Sequence, residues 1–503
     1  MDAHYSHTEN PLDNEVFLDL ARHYESEFHN DMARLNILPA HVLTRVSEYV
    51  PEIIKFIEKI IGNGYAYESN GSVYFDTIKF HEQHAYAKLE PDRMGDLAAL
   101  SEGEGALTTA TDASKEKRNG CDFVLWKKSK LGEPVWQSPW GLGRPGWHIE
   151  CSVMASEVLG PHFDIHTGGI DLKFPHHDNE IAQAEAHYDS DVWVNYFLHS
   201  GHLTIAGCKM SKSLKNFVTI PQALKEYTAR QIRLLFLLHS WSSTLDYSHH
   251  GMETALNYEK MLNEFFINVK TRLRSMKQLD HSDAYTKFNE QDLALNERFS
   301  KIKKDIHLAL CDSIDTPSVM EQIRQLISAS NIYMNAPNVT INRLLLRNIA
   351  VYITRLINIF GLNATASSMD DIGFTRSNEQ QASAVNVEDV AMPYVQAFSD
   401  FRDAVRTVAI SVKNREILTE CDRVRNEILP DLGVRLEDQA SGNKATIKFC
   451  DPEELRRERE QALALEKSRH EEKERKKLEA QLAKEAKEAK KKASKEKKVC
   501  SIN

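Results

Sequence analysis

Apolar side chains between Asn14 and Tyr65 return at helical spacing. Val46, Val50, Ile53, Ile57 and Ile61 fall three or four residues apart, with Ile54 beside them, and Gly62-Asn63-Gly64 follows. That spacing lines one face of a helix, and the Gly-Asn-Gly run ends it. Ser72-Val73-Tyr74-Phe75-Asp76 is short and rich in aromatic and β-branched residues, which predicts a strand. Residues 97–119, rich in Ala, Thr, Gly and Glu, read as an exposed insertion. From Val124 to Tyr196 strands and helices mix between Gly/Pro-rich turns, of which Trp136 to Trp147 is the longest.

After Thr219 the pattern is helical almost throughout. Thr228 to Leu238 predicts an apolar helix with Arg230 and Arg233 near its start, open to either phosphate contact or plain solvation. Amphipathic stretches follow at Ala255–Leu273, Leu295–Leu310, Val319–Met334 and Leu344–Phe360. Ala364 to Asn386, rich in Ser, Ala, Asn and Asp, reads as a linker. Helix resumes from Val387 to Asp438, with Asp431-Leu432-Gly433-Val434-Arg435 as a terminating turn. Glu453 to Lys498 is dominated by Glu, Lys, Arg and Ala, too poor in aromatics to anchor a core, and its last part, Lys484 to Lys498, is basic.

Composition narrows the class. The 503 residues suffice for two or three domains with sizeable cores. No apolar run is long enough to span a bilayer, and the polar, acidic N-terminus argues against a signal or transit peptide. The seven cysteines are scattered and odd in number, which suits a reducing compartment better than a disulfide framework. A net charge of −10 does not suggest a general nucleic-acid binder, so any such binding needs local basic faces, the tail among them.

Two segments carry chemistry. In Phe174-Pro175-His176-His177-Asp178-Asn179-Glu180, His176 and Glu180 stand four apart and share a helical face, with Pro175 fitting the first turn. Cys151, in Gly146-Trp147-His148-Ile149-Glu150-Cys151, adds a sulfur donor, and the mixed S/N/O set suits a borderline-soft ion such as zinc. A buried cysteine beside hydrogen-bonded histidines at a helix start would leave the same trace. Lys209-Met210-Ser211-Lys212-Ser213 is basic and hydroxylic, suited to the charge of a polyphosphate, although a solvated basic loop has the same composition.

Taken in order, these segments, together with Gly168-Gly169-Ile170-Asp171-Leu172-Lys173, resemble the cysteinyl-tRNA synthetases of the eukaryotic cytosolic type, which are class I aminoacyl-tRNA synthetases. The resemblance runs from about Phe28 to about Asp438. It implies an α/β plus all-α fold: an incomplete class I (Rossmann-like) catalytic domain, then a helical anticodon-binding bundle and a charged helical tail. It places a remnant of the insertion between the catalytic halves at 1–120 and the second catalytic half at 121–219. The helical bundle then occupies 220–363, the linker 364–386, a C-terminal helical region 387–450 and the tail 451–503.

The resemblance further implies a cytoplasmic enzyme that joins cysteine to ATP, with Mg2+, and passes the cysteinyl group to tRNA(Cys) in translation. Cys151, His176 and Glu180 would bind Zn2+, which selects the substrate thiolate over the serine hydroxyl; Trp147 would line the cysteine pocket. Lys209 and Lys212 would act in catalysis, Lys212 holding the triphosphate, and His177 would orient its neighbours. The family pattern also has a cysteine-bearing strand and a His-x-Gly-His motif upstream, and nothing before Trp147 has that form. His199-Ser200-Gly201-His202 has the outline but lies too close to Lys209-Met210-Ser211-Lys212-Ser213 to come from the opposite half, so His202 reads as structural. The expectation is a chain short of one zinc ligand and part of its nucleotide site, hence impaired; the alternative is an inactive tRNA-binding fragment or isoform. A zinc hydrolase is a third class, with no use for the basic loop or the helical half.

Overall fold

A computed structural model of the chain describes residues 14–104, 116–130, 132–205, 207–209, 217–275, 287–337, 340–363, 372–374, 387–438, 445–460 and 463. The chain divides into two compact units, the first made of residues 1–260, 299–326 and 357–364, the second of 261–298, 327–356 and 365–503. Among the described residues no helix is long and apolar enough to cross a membrane.

The first unit opens with α1 (Asn14–Arg34) and α2 (Val50–Gly62), as the periodicity predicts. Ile53, Ile57 and Ile60 of α2 are fully buried, each contributing about 2–3 kcal/mol of apolar burial. Their partners come from a five-stranded antiparallel sheet of β1 (Ala66–Ser69), β2 (Ser72–Phe75), β3 (Phe123–Lys128), β4 (Trp136–Ser138) and β5 (Gly141–Pro145), in the order β1-β2-β3-β5-β4. Val73, Phe75, Phe123 and Leu125 fill the same cluster as α2. The sheet therefore runs across residue 120, because β2 pairs with β3. The stretch 136–147, read as a long turn, is instead the hairpin β4–β5, tightened at Gly141. Within 97–119, Ala99 and Leu100 pack into the core rather than standing exposed.

Behind the sheet lies an α/β portion. Helix α3 (Trp147–Leu159) leads into β6 (Phe163–Gly169), and the chain then crosses over through α4 (Asp178–Tyr188) to β7 (Val194–Ser200), parallel to β6. Among the described strands β6 and β7 pair only with each other, and Ile165 and Tyr196 are 55% and 67% exposed. Parallel strands are ordinarily covered on both faces. Helix α4 is buried from Asp178 to Ala186 although half of it is polar. One atom of each of three polar side chains is met by a partner: Asp178 accepts from the Leu89 N–H, Asn179 from the Tyr86 hydroxyl, and Glu185 from Lys88, while Asp178 Oδ2, Asn179 Nδ2, Glu180 Oε1 and Glu185 Oε2 have no hydrogen bond. Such pairing offsets part of the cost of burying polar groups.

Helices match the four predicted stretches after residue 249, at His249–Ser275, Glu290–Cys311, Thr316–Asn335 and Arg343–Ile359. The helix Ala229–Leu237 carries Arg230 and Arg233, but not toward solvent. Arg233 donates to the Phe360 carbonyl at 2.8 and 3.1 Å and to the Leu35 carbonyl at 3.2 Å, while Arg230 donates to the Leu362 carbonyl and pairs with Glu259. Both serve the carbonyl-rich end of the last of those helices, where a cation is favoured. Inside the predicted linker, the Gly373 N–H donates to the Thr354 hydroxyl at 2.8 Å; 364–371 and 375–386 lie outside the described residues.

In the second unit, a helix at Val387–Ser411 and another at Arg415–Arg423 pack beside a hairpin that the helical reading of 387–438 missed. Gly433, at φ 76°, turns the chain into the strand Val434–Glu437, paired antiparallel with Thr446–Phe449. Leu429, Val434, Leu436 and Ile447 form its core. Beyond Glu460 only Leu463 of the charged tail is described, so the basic stretch 484–498 lies outside the described residues.

Candidate metal centre

The site is assembled by α3, β6, β7 and the turn into α4. Regular helix starts at Asp178, later than Pro175; a π-helical turn at Lys173–His177 precedes it, with Phe174 extended at φ −136° and ψ 131°. His176 nevertheless faces Glu180, with its Nε2 2.8 Å from Oε1. Cys151, one turn into α3, completes a trio whose donor atoms lie within 4.8 Å of one another. All three residues proposed from the sequence as metal ligands thus converge, and Trp147, 40% exposed, stands with its ring 4.4 Å from that of His176.

The electrostatics fit a cation. Glu180 is 1% exposed, yet its Oε1 has no hydrogen bond: the His176 nitrogen is close but off the line such a bond needs. With the His176 proton on Nδ1, its Nε2 lone pair and this carboxylate oxygen face one another in a buried place, an arrangement a shared ion satisfies. Burial pushes the Glu180 carboxyl up, but the His166 hydrogen bond and the adjoining His176 imidazole override it and hold it down at about 2. Burial, followed by Glu180 and Glu150, pushes the Cys151 thiol up, so it stays neutral unless a cation lies against it. A soft thiolate, an imidazole and a carboxylate form a donor set for zinc, one short of the four protein ligands of a closed site.

Further histidines support the trio, and sequence reasoning missed three of them. His148 Nδ1 is 2.8 Å from His176 Nδ1, and both rings are buried. Burial, then the neighbouring His176, brings His148 down to about 3, so it is neutral. If Nε2 of His176 is to offer a lone pair, its Nδ1 carries the proton and donates to His148. His166, from β6, lies 2.7 Å from Glu180 Oε2 and so holds the second carboxylate oxygen. His177, expected to orient its neighbours, lies in the same cluster, with its ring 4.4 Å from that of His166 and the donor atoms of His166, His177 and Glu180 within 4.8 Å of one another. His177, brought down to about 4 by burial, bonds His199 of β7 at 2.8 Å. Gly168 makes this possible, since a Cβ there would lie 2.6 Å from the His177 ring. His148 had a signal, three residues before Cys151 on one helix face. His166 and His199 had none, because β6 and β7 meet the helices only in space.

Lys209 ends the short strand Cys208–Lys209, paired antiparallel with Leu203–Ile205, while Lys212 and the rest of 210–216 lie outside the described residues. In the His199-Ser200-Gly201-His202 segment, Gly201 is required by packing, as a Cβ would lie 2.1 Å from the Ser243 carbonyl oxygen, and the His202 carbonyl accepts from the Leu245 N–H. Another acid–histidine grouping, His84, Glu185 and Asp191, already has its cation: Lys88 Nζ lies 2.6 Å from Glu185.

Residues 9–257 match the family of tRNA synthetases class I (C) catalytic domain. The cytoplasmic cysteine–tRNA ligases of Drosophila melanogaster, Gallus gallus and Homo sapiens are 55%, 54% and 53% identical to the chain over 458, 453 and 453 residues. These alignments cover 90%, 89% and 89% of this chain, and 61%, 60% and 60% of the relatives. The chain thus spans about three fifths of the length of the curated relatives it matches. A solved Mycobacterium tuberculosis methionyl-tRNA synthetase in complex with methionyl-adenylate is 14% identical, at TM-score 0.49 over 68% of this chain and 79% of that one. The chain belongs to the cysteinyl-tRNA synthetases, a family of class I aminoacyl-tRNA synthetases.

Proposed function

We propose that the protein takes part in cytoplasmic translation as a cysteine–tRNA ligase, activating cysteine with ATP and Mg2+ and transferring it to tRNA(Cys). The observation that carries this reading is the meeting of Cys151, His176 and Glu180, with a buried Glu180 oxygen left without a hydrogen bond. Zinc held there supplies a bond that favours the sulfur of cysteine over the oxygen of serine, a discrimination that pocket shape alone limits to about 1–3 kcal/mol. Glu180 stays ionised, the neutral His148 fixes the His176 tautomer, and His166 keeps the carboxylate aimed. Trp147 bounds the pocket beside His176. Lys209 and Lys212 neutralise the triphosphate as pyrophosphate leaves.

For the 503-residue chain by itself we propose weak activation. Three protein ligands and one of the two ATP motifs are legible in it, and β6–β7 pairs with no further described strand. Metal analysis of purified, zinc-loaded chain, together with cysteine-dependent ATP–pyrophosphate exchange, tests both parts. The expected result is one zinc lost in Cys151→Ser, and exchange well below that of a full-length relative. A chain that binds no zinc overturns the site, and exchange at the relative's rate overturns the proposed weakness.

A further inference from the structure

One short segment, Tyr86–Arg93, lies along α4 and the turn that leads into it. Ala87 is buried with a left-handed backbone at φ 60°, and the residues on either side of it both reach the helix. The Tyr86 hydroxyl donates to Asn179 at 2.7 Å, and Lys88 Nζ donates to Glu185 at 2.6 Å and to the Asp191 carbonyl at 3.0 Å. The Leu89 N–H donates to Asp178 at 2.8 Å, and the Leu89 side chain packs on the cluster of Ile181 and Trp193. Glu90 pairs with Lys173 at 2.5 Å, and the Arg93 guanidinium stands 5.2 Å from the centre of the Phe174 ring. A non-glycine residue keeps a positive φ only where its surroundings fix it, and here the partners on α4 do so.

What the segment grips is the stretch that carries two of the metal ligands. It holds Lys173 and Phe174 before His176, Asp178 and Asn179 between His176 and Glu180, and Glu185 beyond. None of these is itself a ligand. Asp178 stands about 160° round the helix from Glu180, so the segment takes the side away from the metal. The helix start has little of its own to fix it. His176 sits in a π-helical turn where Phe174 is extended, and no side chain caps α4. An uncapped start leaves backbone N–H groups without intrahelical partners and frays. Asn179 is fully buried, its Nδ2 makes no hydrogen bond, and the Tyr86 hydroxyl is the partner of its Oδ1. Release of the segment would strand that oxygen as well, so segment and helix start move as one piece.

We propose that Tyr86–Arg93 is a strap whose docking is coupled to metal binding, with Tyr86 as a positioning residue for His176 and Glu180. The inference rests on the zinc reading of Cys151, His176 and Glu180. Those donors come from separate elements, Cys151 from α3 and the other two from the π-helical turn and α4, so their separation depends on where α4 starts. A strap that fixes Lys173, Phe174, Asp178 and Asn179 leaves His176 and Glu180 one place to stand opposite Cys151. Donor sets work only when held to within about 0.5 Å of the productive geometry. The coupling is reciprocal: whatever factor the docked strap adds to zinc affinity, bound zinc adds to the docking of the strap. Side chains that touch a ligand are worth about 10- to 100-fold in metal affinity, and the strap acts one residue further out, where ~3- to 10-fold is expected.

Chelator competition on the full 503-residue chain measures zinc affinity in two variants. Tyr86→Phe keeps the ring in the core and removes only the hydroxyl, and about a 3- to 10-fold loss of affinity is expected. It lowers thermal stability whether or not the strap is coupled to the metal, so the affinity carries the test. Arg93→Ala, at an exposed position, weakens binding in the same direction, although removal of a positive charge by itself would strengthen the hold on a cation. Co2+ in place of zinc reads the ligand geometry, and its visible absorption, strong in a tetrahedral set, falls in Tyr86→Phe. Hydrogen exchange of the parent chain needs no substitution: zinc loading slows the Leu89 amide about threefold or more. Parent affinity with an unchanged Co2+ spectrum in Tyr86→Phe overturns the coupling and leaves the zinc site standing. Tighter binding by Arg93→Ala, or exchange at Leu89 indifferent to zinc, does the same. A parent chain that binds no zinc removes the site itself, and the coupling with it.

Discussion

Replacing His166 by alanine isolates the part of the metal centre that the sequence did not announce. His166 Nε2 is 2.7 Å from Glu180 Oε2, and Glu180 is 1% exposed, so no bulk water replaces the lost partner. A hydrogen bond to a buried charged group is worth about 1.5–3 kcal/mol. At about 1.4 kcal/mol per decade this predicts a fall of roughly 10- to 100-fold in zinc affinity, in line with the usual cost of losing a ligand's supporting partner. The acid limb moves as well. The Glu180 carboxyl is held at about 2, so its contribution is present above the ordinary carboxylate range and is lost as pH falls toward 2. Without His166 that carboxyl rises, and zinc is released at a higher pH. Competition with a chromophoric chelator, at neutral pH and then down an acid series, measures both effects; His166→Gln, which can still donate, recovers part of them. Wild-type affinity together with an unmoved acid midpoint in His166→Ala refutes the role given to His166.

Arg233→Ala removes the donor to two carbonyls and destabilises the fold by about 1–3 kcal/mol, read by denaturant unfolding, while the salt dependence of tRNA binding keeps its slope. Gly201→Ala places a Cβ 2.1 Å from the Ser243 carbonyl oxygen and lowers the melting temperature by several degrees; an unchanged melting curve contradicts that packing. His187, stacked 3.6 Å from Phe56, is brought down by burial. The unfolded chain therefore takes up its proton first, and His187 costs stability as pH falls below the ordinary histidine range. The stability of His187→Phe relative to wild type should rise between pH 7 and 5 in paired thermal melts, and a constant difference counts against the assignment. Deleting Lys484 to Lys498 should flatten the salt dependence of tRNA binding, measured by filter binding.

Local rules made some of the molecule legible in one dimension. The α2 stripe, the strand at Ser72 and the four long helices follow from side-chain periodicity, which the backbone geometry of each element fixes by itself. His176 and Glu180 were legible from their four-residue spacing, which the π-helical turn running into α4 still brings onto one side. Other features required the chain to return on itself. The hairpin Val434–Glu437 with Thr446–Phe449 was hidden because short strands draw their stability from a partner rather than from their own pattern. Arg230 and Arg233 read as cations facing either tRNA phosphates or solvent until a distant helix end supplied their carbonyl partners. The sequence by itself determined which donor types were present and which helix faces were apolar, since both are properties of neighbours along the chain. Only the tertiary structure decided that Cys151 reaches His176 and that His166 and His148 hold the ligands in place. It also decided that Tyr86–Arg93 lies along α4, because each of these rests on free energy gained between segments far apart in sequence.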